Sequence, residues 1–186
     1  DEIKAVDKGN GKYTFIMPAS KVEVNVSFTK IETSNTDLPF NDVTKTDWYY
    51  EAIKYVYDKE MMNGTTENLF NPNLSTTRGM IVTILYRLEN EPAVSSHPFT
   101  DVDENAYYAK AVAWGAANGV VKGYESDLFG PEDSITREQL ATILYRYSQY
   151  KGFDISSSAE LSAFHDATNI STYAIESMRW AIANDI

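Results

Sequence analysis

The sequence repeats itself. Phe40-Asn41-Asp42-Val43 returns as Phe99-Thr100-Asp101-Val102, a spacing of 59 residues. The same spacing carries Gly64 onto Gly123, Leu69-Phe70 onto Leu128-Phe129 and Pro72 onto Pro131. It also carries Thr77-Arg78 onto Thr136-Arg137, and Ile84-Leu85-Tyr86-Arg87 onto Ile143-Leu144-Tyr145-Arg146, with no gap. A third copy opens at Phe164-His165-Asp166 and reaches Trp180-Ala181, one residue longer in its opening loop. Such a repeat is one supersecondary unit that cannot bury its apolar face alone, so neighbouring copies must stack. Function is then expected in polar features that the copies share without needing them for the core.

Each copy reads as helix, loop, helix. Tyr49, Ala52, Ile53 and Val56 fall at helical spacing over about 48–59, as do Tyr108, Ala111, Val112 and Gly115, with Asn118-Gly119 as a C-cap. In the loop, Gly64 and Gly123 permit positive φ, and Leu-Phe is expected to tuck into the core. The second helix starts at Thr77-Arg78 or Thr136-Arg137. Its expected apolar face is Ile81, Ile84, Leu85 and Leu88 in copy one, and Leu140, Ile143, Leu144 and Tyr147 in copy two. Thr136 and Gln139 fit a capping box, whereas Met80 leaves Thr77 to cap alone.

The organisation predicted from these signals is 1–32 as the end of a β-rich domain, 33–39 as linker, 40–92 as repeat one, 99–152 as repeat two and 160–186 as the first half of repeat three. The β reading rests on Tyr13–Met17 and the alternating Val22–Phe28. The chain is expected to be cut from a longer protein. Upstream domains and the remainder of the third repeat are then its natural neighbours, the latter covering an otherwise bare helix face.

Charge narrows the partners. The net charge is −11, and residues 40–186 hold 11 basic against 21 acidic groups. That balance argues against nucleic acid, which needs a dense basic face, and against anionic lipid. No apolar run approaches the length of a membrane span. With no cysteine, disulfides, thiol catalysis and Cys-ligated zinc are excluded. His97 sits in a Pro-flanked linker and His165 at a variable position, neither with metal-ligand spacing, so no metal or cofactor is expected. No carboxylate pair recurs in a setting suited to acid–base catalysis, so the chain reads as non-enzymatic.

Phe-x-Asp-Val, an aromatic opening a helix, a loop glycine, Phe-x-Pro and Thr-Arg together resemble the surface-layer homology (SLH) repeat of bacterial cell-envelope proteins, over residues 40–186. The resemblance implies a mainly α fold: tandem helix-loop-helix repeats forming a pseudo-threefold helical bundle, here with a short N-terminal β segment. It implies non-covalent anchoring to secondary cell-wall polysaccharide, often pyruvylated, in grooves between repeats. Gly11 through Ser20 and the strand after it are similar to the end of an internalin-type B repeat of surface proteins. Both resemblances point outside the cell, to the wall. The family's Thr-Arg-Ala-Glu stands here as Thr77-Arg78-Gly79-Met80 and Thr136-Arg137-Glu138-Gln139. A helical protein–protein assembly module is the rival reading.

Arg78 and Arg137 are the sharpest candidates for ligand contact. Each sits in a first helical turn, where the macrodipole disfavours a cation, yet the capping Thr77 or Thr136, free N–H groups and a guanidinium fork make an anion trap. A pyruvate carboxylate is a suitable guest. The alternative is an ion pair with an acid such as Asp42 or Asp101. Trp48 and Tyr107, with Tyr173, open the first helices and suit either sugar stacking or a hydrophobic staple. Trp114 and Trp180, with the aligned Tyr55, are assigned to the core. Gly64, Gly123 and Gln139 complete the candidate ligand set. Asp42, Asp101 and Asp166 are expected to tie down loops by accepting backbone N–H bonds.

Overall fold

The structure is a computed structural model that describes residues 6–7, 13–14, 37–124 and 127–186. The chain divides into two units, Asp1–Asn35 and Thr36–Ile186. In the first, β1 (Val6–Asp7) pairs antiparallel with β2 (Tyr13–Thr14), Val6 opposite Thr14. The strand expected at 22–28, and most of the stretch resembling a B repeat, lie outside the described residues.

The second unit is helical: α1 (Tyr50–Asp58), α2 (Arg78–Leu88), α3 (Ala109–Ala117), α4 (Arg137–Tyr150) and α5 (Ile175–Ala183), with short 3-10 turns at Ala167–Asn169 and Thr172–Ala174. Repeat one contributes α1 and α2, repeat two α3 and α4, and repeat three α5. The main helix contacts run between repeats: α2 packs on α3, and α4 on α5. Each second helix therefore covers the first helix of the following copy, as stacked repeats require.

That stacking explains where the predicted faces hold and where they turn. α3 lies at the centre of the main core, and Tyr108, Ala111, Val112 and Gly115 are buried as expected, together with Ala109, Ala113 and Trp114. Asn118 and Gly119 close the helix, with Gly119 at φ +69. On α1 the buried pair is Tyr50 and Ile53, joined by Phe40 and Val43, while Ala52 is exposed. α2 is rotated by about one residue from its expected face. It buries Val82, Leu85 and Tyr86, and Leu88 points out. The cause is its partner, because α2 must meet α3 as well as its own repeat. Gly79 permits the approach, since a Cβ there would stand 3.0 Å from Pro131 O and from Tyr108 Cδ1. On α4, Ile143 is buried, and Leu140, Leu144 and Tyr147 are half-buried. Glu89 at the end of α2 accepts from Tyr147 and pairs with Lys151 at 2.9 Å, tying α2 to α4.

The loop motif tucks in through one residue, not two. Phe129 is fully buried, Phe70 half-buried, and Leu69 and Leu128 remain exposed. Phe40 meets Phe70, and Phe99 meets Phe129, each pair with centroids 5.3 Å apart. Trp114 and Trp180 are core residues, but Tyr55 is exposed. Trp114 lies between Tyr86 of α2 and Tyr147 and Tyr150 of α4. Among the described residues, Tyr55 has no such flanking helices.

Candidate functional site

Loop geometry sets the frame. Asp42 accepts the N–H groups of Phe70 and Asn71 at 2.9 and 2.7 Å, and Asp101 those of Phe129 and Gly130 at 2.8 and 2.7 Å. These bonds hold the Asp42 carboxyl below its usual range. At Asp101 burial pushes upward, but the Phe129 and Gly130 bonds outweigh it and the net direction is down. The Asp166 carboxylate has no partner among the described residues. Gly64 adopts φ +81, and a Cβ there would stand 2.5 Å from Phe40 Cε1. Gly123 has no positive φ; it is required by closeness, because a Cβ would strike Leu128 O and Phe99. Both glycines pack on the opening phenylalanine.

The two first-turn arginines have different fates. Arg78 is only 4% exposed. Its Nε donates to Phe129 O at 2.9 Å and its Nη2 to Lys122 O at 3.1 Å, both in the loop of repeat two. Its guanidinium lies 4.7 Å from the ring centroids of Tyr124 and Phe129. The start of α2 is closed as well. Arg78 N donates to Asp133 O at 3.0 Å, Gly79 N to Pro131 O at 2.9 Å, and Met80 N to the Thr77 hydroxyl at 3.3 Å. The backbone N–H groups of that anion trap are thus taken by repeat two or by the cap, Arg78 Nε and Nη2 are spent on repeat two, and among the described residues Arg78 makes no ion pair with Asp42 or Asp101. It clamps one repeat to the next through neutral carbonyls, a role the sequence reading did not weigh.

Arg137 is exposed and unpaired among the described residues. It lines a 260 Å³ cleft with Phe164, Asp166 and Met178. Thr136 and Gln139 form the predicted capping box, at 3.3 Å in each direction, which occupies the Gln139 carbonyl with the cap. Beside them, Glu138 accepts Ser171 N, the Ser171 hydroxyl and the Tyr173 hydroxyl at 2.8, 2.9 and 3.1 Å, joining α4 to repeat three.

The helix-opening aromatics do not act as core residues or staples. Trp48 is 92% exposed and Tyr107 59% exposed, each set edge-on to the following tyrosine. Tyr107 stands at the rim of a 420 Å³ cleft between the loop and second helix of repeat one and the start of repeat two. Met61, Phe70 and Met80 supply its apolar wall, and Asn63, Thr76 and Arg87 its polar one. Arg87 donates to Met61 O at 3.0 Å and lies 3.9 Å from Glu91. This arginine in the last turn of α2, repeated as Arg146 in α4, was missed as a site residue. The 59-residue alignment displayed it, but nothing about an arginine near a helix end marked it as facing a cleft.

Among the described residues, no group of three or more His, Asp or Glu side chains is placed to hold a metal, and no helix is long and apolar enough to cross a membrane. His97 stacks on Phe99 with centroids 6.5 Å apart.

Comparison with known proteins agrees with this repeat geometry. The chain is 34% identical over 151 residues to an endoglucanase of Bacillus sp. (strain KSM-635), covering 81% of this chain and 16% of that protein. It is 29% identical over 147 residues to the surface-layer 125 kDa protein of Lysinibacillus sphaericus, covering 78% of this chain and 12% of that protein. It is 29% identical over 119 residues to the cellulosome-anchoring protein of Acetivibrio thermocellus, covering 60% and 26%. The chain thus spans about a quarter or less of the length of these relatives. Residues 39–79 and 98–141 match the S-layer homology domain family, and these two repeats of the chain are SLH domains.

Proposed function

We propose that this chain anchors a bacterial surface protein non-covalently to the cell wall, by binding an acidic or pyruvylated secondary wall polysaccharide in the clefts between its repeats. The observation that carries the reading is the cleft between repeats one and two. Its volume of about 420 Å³ lies within the usual range for ligand pockets. Tyr107 offers an aromatic face to the apolar C–H face of a pyranose, and Asn63, Thr76 and Arg87 offer partners for its hydroxyls. Surface-layer and cellulosome-anchoring relatives support the wall as the destination. The endoglucanase relative, matched over only 16% of its length, supports a module that attaches larger proteins and performs no catalysis itself. Repeat limits of 40–92, 99–152 and 160–186, after a β-rich 1–32 and a linker at 33–39, are part of this proposal.

The open start of α4 belongs to a second proposal. At the start of α2, the loop of repeat two accepts from Arg78 and from the N–H groups of Arg78 and Gly79, while Asp101 and Phe99 hold that loop's Phe129. Arg137, Asp166 and Phe164 repeat this arrangement around the 260 Å³ cleft. We propose that the remainder of the third repeat seats there in the full polypeptide, clamped by Arg137 as Arg78 clamps repeat two. An acidic group of the polymer at Thr136 and Arg137 is the competing occupant. Adding purified polymer to this chain separates the two: protection of Arg137 would establish the polymer there.

The main proposal is tested by pull-down on purified wall sacculi, before and after chemical removal of the secondary polysaccharide. Binding that disappears on stripping supports it, and equal binding to stripped walls overturns it. Stable oligomers by light scattering in the absence of polymer, with no sacculus binding, would support the assembly module instead.

A further inference from the structure

Asn10, Asn63 and Asn118 each precede a glycine. That pairing carries its own chemistry. The backbone nitrogen of the following residue can attack an asparagine side-chain amide, and glycine, lacking a Cβ, hinders the approach least. Asn10 lies outside the described residues. The other two asparagines stand in opposite surroundings.

Asn118 closes the end of α3. Its Nδ2 donates to Trp114 O at 2.8 Å, and the Gly119 N–H donates to Ala116 O at 3.2 Å. Both groups that would react are therefore held in place. Asn63 lies in the loop of repeat one and is exposed, as is Gly64. Among the described residues, neither the Asn63 side chain nor the Gly64 N–H makes a hydrogen bond. The loop is tied only from the next residue on, where the Thr65 N–H and hydroxyl donate to Leu69 O at 2.9 and 3.2 Å. Repeat two has Lys122 at the position of Asn63, so its loop holds no amide that could react there.

The position of Asn63 gives the reaction a consequence. Asn63 and Gly64 line the 420 Å³ cleft that also holds Tyr107 and Arg87. Among the described residues lining that cleft, Arg87 is the one charged side chain, although the chain as a whole has 27 acidic groups against 16 basic ones. A carboxylate at position 63 would cancel the formal charge of the lining.

We propose that Asn63-Gly64 is a self-modifying site, whose conversion to aspartate or isoaspartate places a negative charge on the wall of the cleft between repeats one and two. The Gly64 nitrogen loses its proton to solvent and bonds to Asn63 Cγ. The Cγ–Nδ2 bond breaks, and Nδ2 takes a proton from solvent and leaves as ammonia. Water then opens the cyclic imide. Opening at Cγ gives aspartate, opening at the backbone carbonyl gives isoaspartate, and either product carries a carboxylate. The converted cleft grips an acidic polymer less tightly. That last step rests on the wall-polysaccharide reading; the conversion does not.

The test is incubation of the full chain in mildly alkaline heavy-oxygen water, followed by peptide mapping by mass spectrometry. Asn63 is expected to convert at least about tenfold faster than Asn118, where two hydrogen bonds must open before the reacting groups can meet. In urea the two rates should converge, because both sites are then open Asn-Gly pairs. Equal rates in the folded chain, or a gap that persists in urea, would overturn the site. For the effect on the cleft, Asn63→Asp is compared with Asn63→Gln, which keeps a neutral amide. The Asp variant should bind wall sacculi about fivefold more weakly at low salt, with the gap closing as salt rises. Equal binding of the two variants would overturn the loss of grip. A parent chain that does not bind sacculi would overturn wall anchoring and the loss of grip together, while the ratio of conversion rates still decides the modified site.

Discussion

Replacing Arg78 and Arg137 by alanine, one at a time, separates a structural arginine from a free one at the same motif position. Arg78→Ala removes two hydrogen bonds from a charged donor, at 2.9 and 3.1 Å, and leaves the carbonyl of the fully buried Phe129 without that partner. Each bond is worth about 1–1.5 kcal/mol. The two ring contacts at 4.7 Å add about 0.5–1 kcal/mol each. Returning the guanidinium to water in the unfolded chain offsets part of this. A net loss of about 3 kcal/mol remains, which for a unit of roughly 150 residues lowers Tm by about 6–12 °C. Arg78→Lys keeps the charge without the fork and should recover about half. Arg137→Ala removes an exposed, unpaired cation from a helix start and should shift stability by no more than about 0.5 kcal/mol, in either direction. Urea unfolding followed by circular dichroism measures both. Equal losses for the two variants, or a loss below about 1 kcal/mol for Arg78→Ala, would refute the clamp.

Asp42 and Asp101 have folded-state pKa values below their unfolded ones, so the stability they lend is whole above about pH 5 and is lost as pH falls from the usual carboxylate value near 4 down through their lowered folded values. Asp101→Asn should therefore lower stability at pH 7 and flatten the acid limb of a Tm–pH curve. Gly123→Ala should cost about 2–3 kcal/mol, because the new Cβ meets Leu128 O and Phe99, whereas Gly119→Ala, strained at φ +69 but with open space around it, should cost about 1 kcal/mol; thermal melts compare them. Tyr107→Ala should weaken sacculus binding about fivefold to tenfold with Tm unchanged, because its ring is 59% exposed.

The repeat made much of the fold legible. Helix starts at Thr77 and Thr136, the capping box of Gln139, the Asp42 and Asp101 loop ties and the burial of Phe129 all follow from local chemistry that both copies spell out. What escaped was everything decided between copies. The rotation of α2, the exposure of Tyr55 and the closure of the α2 anion trap depend on which helix lies alongside, and no local spacing records that. The candidate site was legible in part for the same reason. An arginine in a first turn is conspicuous because helix energetics disfavour it, so Arg78 drew attention, yet the next repeat consumes its donors. Arg87 and Arg146 are ordinary by helix propensity. The placement of Arg87 on one cleft with Tyr107 arises from the stacking of one repeat on the next.

The claim that the clefts between repeats receive a saccharide is tested most directly by titrating purified secondary wall polysaccharide into isotopically labelled chain and mapping amide chemical-shift changes. The account predicts saturable changes concentrated around Asn63, Thr76 and Tyr107 in the cleft between repeats one and two. Changes confined to the outer face of α1 around Trp48 and Tyr55, or no change at polymer concentrations that saturate sacculus binding, would contradict it.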